Sequence, residues 1–302
     1  MIKINMKDYG LNDKFINESK MYNLSVGRII SQDKGLYKAI TENGEFKAQI
    51  SGKLRYNALN ISDYPAVGDF VMLDENCGSA IIHNILNRKS AFIRKAAGTS
   101  HDIQVVAANV DTVFICMSLN KDYNLRRLER YISIGWDSGA VPVVVLTKSD
   151  LCNDLDNIMS DLDEIAIGLD VMVTSSLKED YENIKKYISY GQTVAFIGSS
   201  GVGKTTLINK LLGEDIFETK GIGNDDRGRH TTTKRELILI PDGGIVIDTP
   251  GMRELGIESA DFSKAFADID ELSQLCKFSD CTHSKEPGCA VKNALDNGDL
   301  SE

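Results

Sequence analysis

The chain has 302 residues, a formal net charge of −10 and six cysteines. That length leaves room for two or three domains, and the acidic balance argues against a simple nucleic-acid binder, which is usually basic. No apolar run approaches a membrane span and no basic-then-apolar leader opens the chain, so we expect a cytoplasmic protein with reduced cysteines and no membrane partner.

Residues 1–21 read as an N-terminal tail or short helix whose apolar contacts are Ile2, Ile4, Leu11, Phe15 and Ile16. From Leu24 to about Phe92 the pattern changes to short strands, at 25–30, 37–40, 46–50, 69–73 and 79–83. Asn43-Gly44 between two of them is a hairpin signal. Such a series of short strands fits a small barrel. Charge is uneven along the chain: residues 22–100 carry ten Lys/Arg against seven Asp/Glu, while residues 255–302 carry four against ten. Small barrels commonly hold RNA through basic and aromatic side chains. Lys53, Arg55, Tyr56, Arg88, Lys89, Arg94 and Lys95 could serve that role, or simply form a solvated surface.

Further along, Leu125, Leu128 and Ile132 give an amphipathic helix an apolar face, with Arg126, Arg127 and Arg130 on its solvated side. Val141–Thr147 is a near-continuous apolar run of the kind found in parallel sheets. It ends in Thr147-Lys148-Ser149-Asp150, the N/T-K-x-D pattern of guanine recognition. A carboxylate at Asp150 would accept from guanine N1–H and the 2-amino group, and adenine would leave it unpaired. A second apolar run, Val171-Met-Val173, delivers Thr174-Ser175-Ser176, where a backbone N–H can meet guanine O6.

Thr193–Ile197 reads as a buried strand and Thr206–Leu212 as helix, and between them lies Gly198-Ser199-Ser200-Gly201-Val202-Gly203-Lys204-Thr205. In that strand–loop–helix setting the spacing G-x-x-x-x-G-K-[ST] is a phosphate-binding loop: backbone N–H groups cradle phosphates, Lys204 reaches the β- and γ-phosphates, and Thr205 ligates Mg²⁺, with Thr206 close by. Downstream, Gly228–Thr233 sits where a first switch belongs and offers Thr231 or Thr232 to the same Mg²⁺. Asp248-Thr-Pro-Gly251 matches the D-x-x-G switch, with Asp248 toward Mg²⁺ and the Gly251 N–H toward the γ-phosphate. Met252 stands where many GTPases place a water-orienting Gln, so intrinsic hydrolysis should be slow.

The base motif therefore precedes the phosphate loop, whereas in an ordinary GTPase it follows. Either the domain is circularly permuted, or the early motif is accidental and the site takes ATP. Permutation is tolerated where the old termini lie close together. Because each motif still falls at a strand end, we take the permuted arrangement. Past this domain, Cys276, Cys281, His283 and Cys289 give C-x4-C-x-H-x5-C, a donor set suited to a closed tetrahedral Zn²⁺ site.

Taken together, these motifs resemble the RsgA (YjeQ) family, the circularly permuted ribosome-small-subunit-dependent GTPases of bacteria. Gln104–Asp111 is similar to the family's entry into the nucleotide domain and Arg229–Thr233 to its first switch. The resemblance implies an N-terminal OB-fold barrel over 22–97, a permuted α/β P-loop GTPase domain over 98–258 and a helical zinc domain over 259–302. It implies helix continuing beyond the equivalent of Glu302. It also implies a water-orienting role for His230, a monomer, and the small ribosomal subunit and its rRNA as partners. The activity expected is subunit-stimulated hydrolysis of GTP to GDP and phosphate during late subunit assembly. A nucleotide-gated rRNA-binding module with incidental turnover is the other reading.

Overall fold

The structure is a computed structural model that describes residues 3–33, 35–95, 103–120, 122–175, 182–213, 235–241, 243–248, 272–278 and 286–297, together with 252, 255, 281 and 283. The chain divides into two compact units, Met1–Ser259 and Ala260–Glu302.

Five strands open the first unit: β1 (Ser25–Asp33), β2 (Leu36–Thr41), β3 (Gly44–Ile50), β4 (Phe70–Asn76) and β5 (Ser79–Ile85). They pair in the order β1-β2-β3-β5-β4, and β4 pairs back onto β1, which closes a barrel. Its interior is filled by Ile29, Ala39, Ala48, Val71, Leu73, Ala80 and Ile82, the inward members of alternating strands. The β2–β3 turn falls one residue earlier than Asn43-Gly44 suggests. Thr41 pairs with Gly44, so Glu42 and Asn43 make the turn and Gly44, at φ 132°, already lies in the strand.

The N-terminal segment is packed, not loose. Helix α1 (Asp13–Ser19) is capped by the Asn12 side chain and buries Phe15 against Phe70, ring centroids 4.3 Å apart. The short helix α2 (Gly52–Asn57) follows β3, and β6 (Ala91–Lys95) pairs antiparallel with β7 (Ile103–Ala108) on the way out of the barrel.

Among the described residues, six strands then form a sheet: β8 (Thr112–Ser118), β9 (Val141–Thr147), β10 (Asp170–Val173), β11 (Thr193–Ile197), β12 (Arg235–Leu239) and β13 (Ile245–Asp248). The order is β10-β9-β8-β11-β13-β12, all parallel except β12. β11 stands between β8, which precedes it in the chain, and β13, which follows it. Helices α3 (Leu125–Asp137), α4 (Leu155–Ile165), α5 (Glu182–Lys185) and α6 (Lys204–Leu212) connect the strands. Phe114, Val143, Val194, Phe196, Ile208 and Leu211 share one core, with Phe114 and Phe196 stacked at 5.0 Å.

Barrel and sheet are continuous. β12 pairs antiparallel with β1 at Ser31↔Glu236 and Gln32↔Arg235, while Glu236 also faces Asp248 across β13. A fully buried cation pins the junction. Arg28 on β1 donates from Nε to the Gly68 carbonyl (3.1 Å), from Nη1 to the Tyr9 carbonyl (2.7 Å), and from Nη2 to Thr193 Oγ1 (3.0 Å) and the Asn109 carbonyl (3.4 Å). Its guanidinium also lies 4.9 Å from the Phe70 ring centroid. Burial lowers its pKa to about 10, opposed by Asp111 and Asp69, so it stays charged at neutral pH.

In the second unit, helix α7 (Ala290–Asn297) buries Val291 and Ala294. Among the described residues, no helix is long and apolar enough to cross a membrane.

Candidate active site and metal centre

The phosphate loop leaves β11 at Gly198, and only glycine fits there. At φ +137° a Cβ would lie 2.2 Å from the Cys116 carbonyl of β8. Gly203, at φ 100°, caps α6, so the N–H groups that open the helix point toward the loop. Lys204 is buried and donates from Nζ to the carbonyls of Gly198 (2.6 Å) and Ser199 (2.5 Å), folding back over the loop. Thr205 and Thr206 follow in the first helical turn. Beneath the loop, burial pushes the Cys116 thiol up to about 12 despite the opposing charge of Lys204, so this cysteine is packing and no nucleophile.

The base motif closes on the loop from β9. Thr147, buried at the strand's end, donates from Oγ1 to the Val202 carbonyl at 2.5 Å. Its hydroxyl thus ties the base-reading strand to the phosphate loop. Lys148 turns the chain in a left-handed conformation (φ 57°, ψ 40°), a strained position of the kind found at binding sites. Asp150 Oδ1 accepts from Ser175 Oγ at 2.5 Å, and the Ser149 N–H bonds the Thr174 carbonyl at 3.1 Å. The ends of β9 and β10 are therefore one hydrogen-bonded structure with Asp150 at its tip. On the other side of β11, Asp248 ends β13 and is buried.

A model of the RsgA GTPase family matches residues 85–258. Small ribosomal subunit biogenesis GTPase RsgA 2 of Lactiplantibacillus plantarum is 48% identical over 302 residues, 99% of this chain and 86% of the relative's length. RsgA 1 of Oceanobacillus iheyensis is 46% identical over 92% of this chain and 81% of its own length. The chain belongs to the RsgA GTPase family. Its fold is similar to the crystal structure of YjeQ from Thermotoga maritima, with a TM-score of 0.59 and 28% identity over 92% of this chain and 93% of that one. YloQ, a circularly permuted GTPase, is also similar, with a TM-score of 0.55 and 28% identity over 93% and 91% of the two chains. As a member of the RsgA family the chain is a GTP hydrolase with a permuted nucleotide domain, a class that acts on GTP with Mg²⁺.

Ser176, His230, Thr231, Thr232 and Gly251 lie outside the described residues. Met252 is described and is 1% exposed. The position after D-x-x-G is thus filled by a buried thioether, which offers a water no strong hydrogen bond.

Cys276, Cys281, His283 and Cys289 present ligand atoms that all lie within 4.8 Å of one another. The Cys276 and Cys289 sulfurs are 3.9 Å apart, and His283 Nδ1 is 3.6 Å from the first and 3.4 Å from the second. Backbone N–H groups of Ala290 and Lys292 donate to Cys276 and Cys289 at 3.3 Å each. Three sulfurs and one imidazole converging in this way can hold a metal ion.

The barrel cations divide into two groups. Lys53 and Arg55 on α2 are exposed, beside Tyr56 at 89% exposure. Arg88 and Lys89, expected to face RNA, are committed inside the fold. Arg88 forks onto the buried Asp69 (Nε–Oδ1 2.8 Å, Nη2–Oδ2 2.8 Å) and donates to the carbonyls of Ser62 and Tyr64. Burial pushes the Asp69 carboxyl up, opposed by that fork. Lys89 pairs with Asp111. Arg94 is part-buried, with Nη2 3.4 Å from Gln104 Oε1. One cation that touches the phosphate loop was not legible in the sequence. Arg127, assigned to a solvated helix face, donates from Nη1 to Ser199 Oγ in the phosphate loop at 2.7 Å.

Proposed function

We propose that this RsgA-family GTPase binds the small ribosomal subunit, acts in its late maturation, and hydrolyses GTP faster there than alone. The relatives' shared name, small ribosomal subunit biogenesis GTPase, supports the partner. The observation that carries the nucleotide assignment is the Thr147–Val202 bond. It fastens the T-K-x-D strand to the phosphate loop, so base and phosphates are read by one rigid frame. Asp150 accepts from guanine, with Lys148 over the base plane and Ser175 and Ser176 completing the pocket. Residues 198–206 and Gly251 hold the phosphates. Thr205, Asp248 and one of Thr231 and Thr232 complete the shell of the Mg²⁺ that accompanies GTP and neutralises developing charge.

With Met252 buried, another group has to orient the attacking water, and His230 in the first switch is our assignment. The four ligands at 276, 281, 283 and 289 take one structural zinc. The barrel acts as an OB-fold that meets rRNA through Lys53, Arg55 and Tyr56. The protein works as a cytoplasmic monomer.

The test is the GTP hydrolysis rate with and without purified small subunits, for the native protein and His230→Ala. Native protein should be stimulated strongly. The variant should bind GTP normally and lose most of the stimulated rate, by roughly 10²–10⁴-fold. Absence of stimulation in the native protein refutes the partner, and a fully stimulated variant refutes the role of His230.

A further inference from the structure

We infer that Arg127 is a positioning residue for the GTP reaction, acting through Ser199 on the leading half of the phosphate loop. This rests on reading residues 198–206 as the GTP site. Arg127 lies in the first turn of α3, where the Asn124 side chain accepts its backbone N–H at 2.8 Å. From there Nη1 reaches two oxygens, Asp122 Oδ1 at 2.9 Å and Ser199 Oγ at 2.7 Å. The segment carrying Asp122 is itself stapled, because Asn120 Oδ1 accepts from the Ser118 hydroxyl and from the Asp122 N–H. The guanidinium is therefore held on the helix side and touches the loop with a fixed donor. A salt bridge on an exposed helix contributes little, but this cation is 29% exposed and bonds a residue of the active loop.

The loop's other restraints show why that contact matters. Gly198 is fixed by its approach to β8, and Val202 by Thr147. Between them, the Ser199 carbonyl is held by Lys204, and Ser200 and Gly201 are exposed. On meeting the β- and γ-phosphates, Lys204 has to share its three donors between them and the Gly198 and Ser199 carbonyls. The Arg127–Ser199 bond is a side-chain tether of the loop for which the phosphates do not compete in this way. Residues 199–201 precede the Gly203 cap of α6, and in this inference their N–H groups meet the terminal phosphate. Preorganised N–H donors lose their effect when the segment bearing them can drift. Arg127 keeps them aimed at the γ-phosphate in the loaded state.

The experiment measures binding of GDP and of a non-hydrolysable GTP analogue to the full-length protein, with thermal melts alongside. The variants are Arg127→Ala, Arg127→Lys, Ser199→Ala and the Arg127→Ala/Ser199→Ala double. Arg127→Ala should weaken analogue binding about tenfold and GDP binding less than twofold, with an unchanged melt. Ser199→Ala should do the same, the double variant should be no worse than either single one, and Arg127→Lys should recover part of the loss. Equal losses for GDP and analogue, additive effects in the double variant, or native binding by Arg127→Ala overturn the inference. Should Arg127→Ala fail to fold, Ser199→Ala decides alone by the same discrimination between nucleotides. A native protein that binds neither nucleotide refutes the GTP-site reading itself.

Discussion

Replacing Arg28 by Met tests whether a buried charge holds the barrel to the nucleotide domain. The substitution keeps an unbranched stem against Phe70 and removes every donor. The Gly68 carbonyl keeps a bond from Asn109 Nδ2 at 3.0 Å, so it is not orphaned. The Tyr9 and Asn109 carbonyls lose their guanidinium donor, and the Thr193 hydroxyl loses the Nη2 contact. Unsatisfied buried acceptors cost about 1–3 kcal/mol each, while removing a desolvated cation returns part of that. We expect a net loss of about 3 kcal/mol, a large share of a typical stability of about 5–15 kcal/mol. For a unit of this size that lowers the melting temperature by roughly 6–12 °C. Calorimetry or a fluorescence melt reads the shift, and limited proteolysis should show earlier cleavage near Tyr9, whose carbonyl is freed. A variant as stable as the native protein would refute the reasoning. It would mean that burying the guanidinium costs as much as its four contacts return.

Three further outcomes follow from the site. Asp150→Asn should weaken GTP binding by about 1.5–3 kcal/mol and shift preference toward xanthine nucleotides, measured by competition binding. Thr147→Val, nearly isosteric, strips the donor from the Val202 carbonyl and should cost about 1–3 kcal/mol in phosphate-loop integrity, read as weakened binding of both GDP and GTP. Cys276→Ser should lose metal by elemental analysis while GTP binding persists, since the phosphate loop belongs to the other compact unit.

What was legible in the sequence is what chemistry ties to spacing. The phosphate loop, T-K-x-D and the cysteine–histidine run each require particular side chains at fixed separations, and β9 and β11 span the same residues in the structure as in the apolar pattern. The fate of the cations was not legible. Arg28 finds Thr193 165 residues away, Arg127 finds Ser199 72 residues away, and Arg88 is taken by a buried Asp69. A local pattern cannot distinguish an arginine bound for such a partner from one left in water. The same holds for the Thr147 hydroxyl, which reaches a carbonyl 55 residues on. At the β2–β3 turn the signal was off by one residue, because Gly44 supplies its unusual backbone angle from inside the strand.

The pairing of β12 with β1 also bears on how the protein stays out of aggregates. A six-stranded sheet ending in β12 would present an open row of backbone donors and acceptors, flanked by Leu237, Ile238 and Leu239, and such edges recruit other chains. Here the barrel occupies the edge at Ser31 and Gln32, and only three residues of the strand extend beyond that cover. A nucleotide sheet cut free of residues 1–97 would bare this edge, so we expect it to self-associate more readily than the intact chain. The barrel is thus a guard for the edge of the sheet.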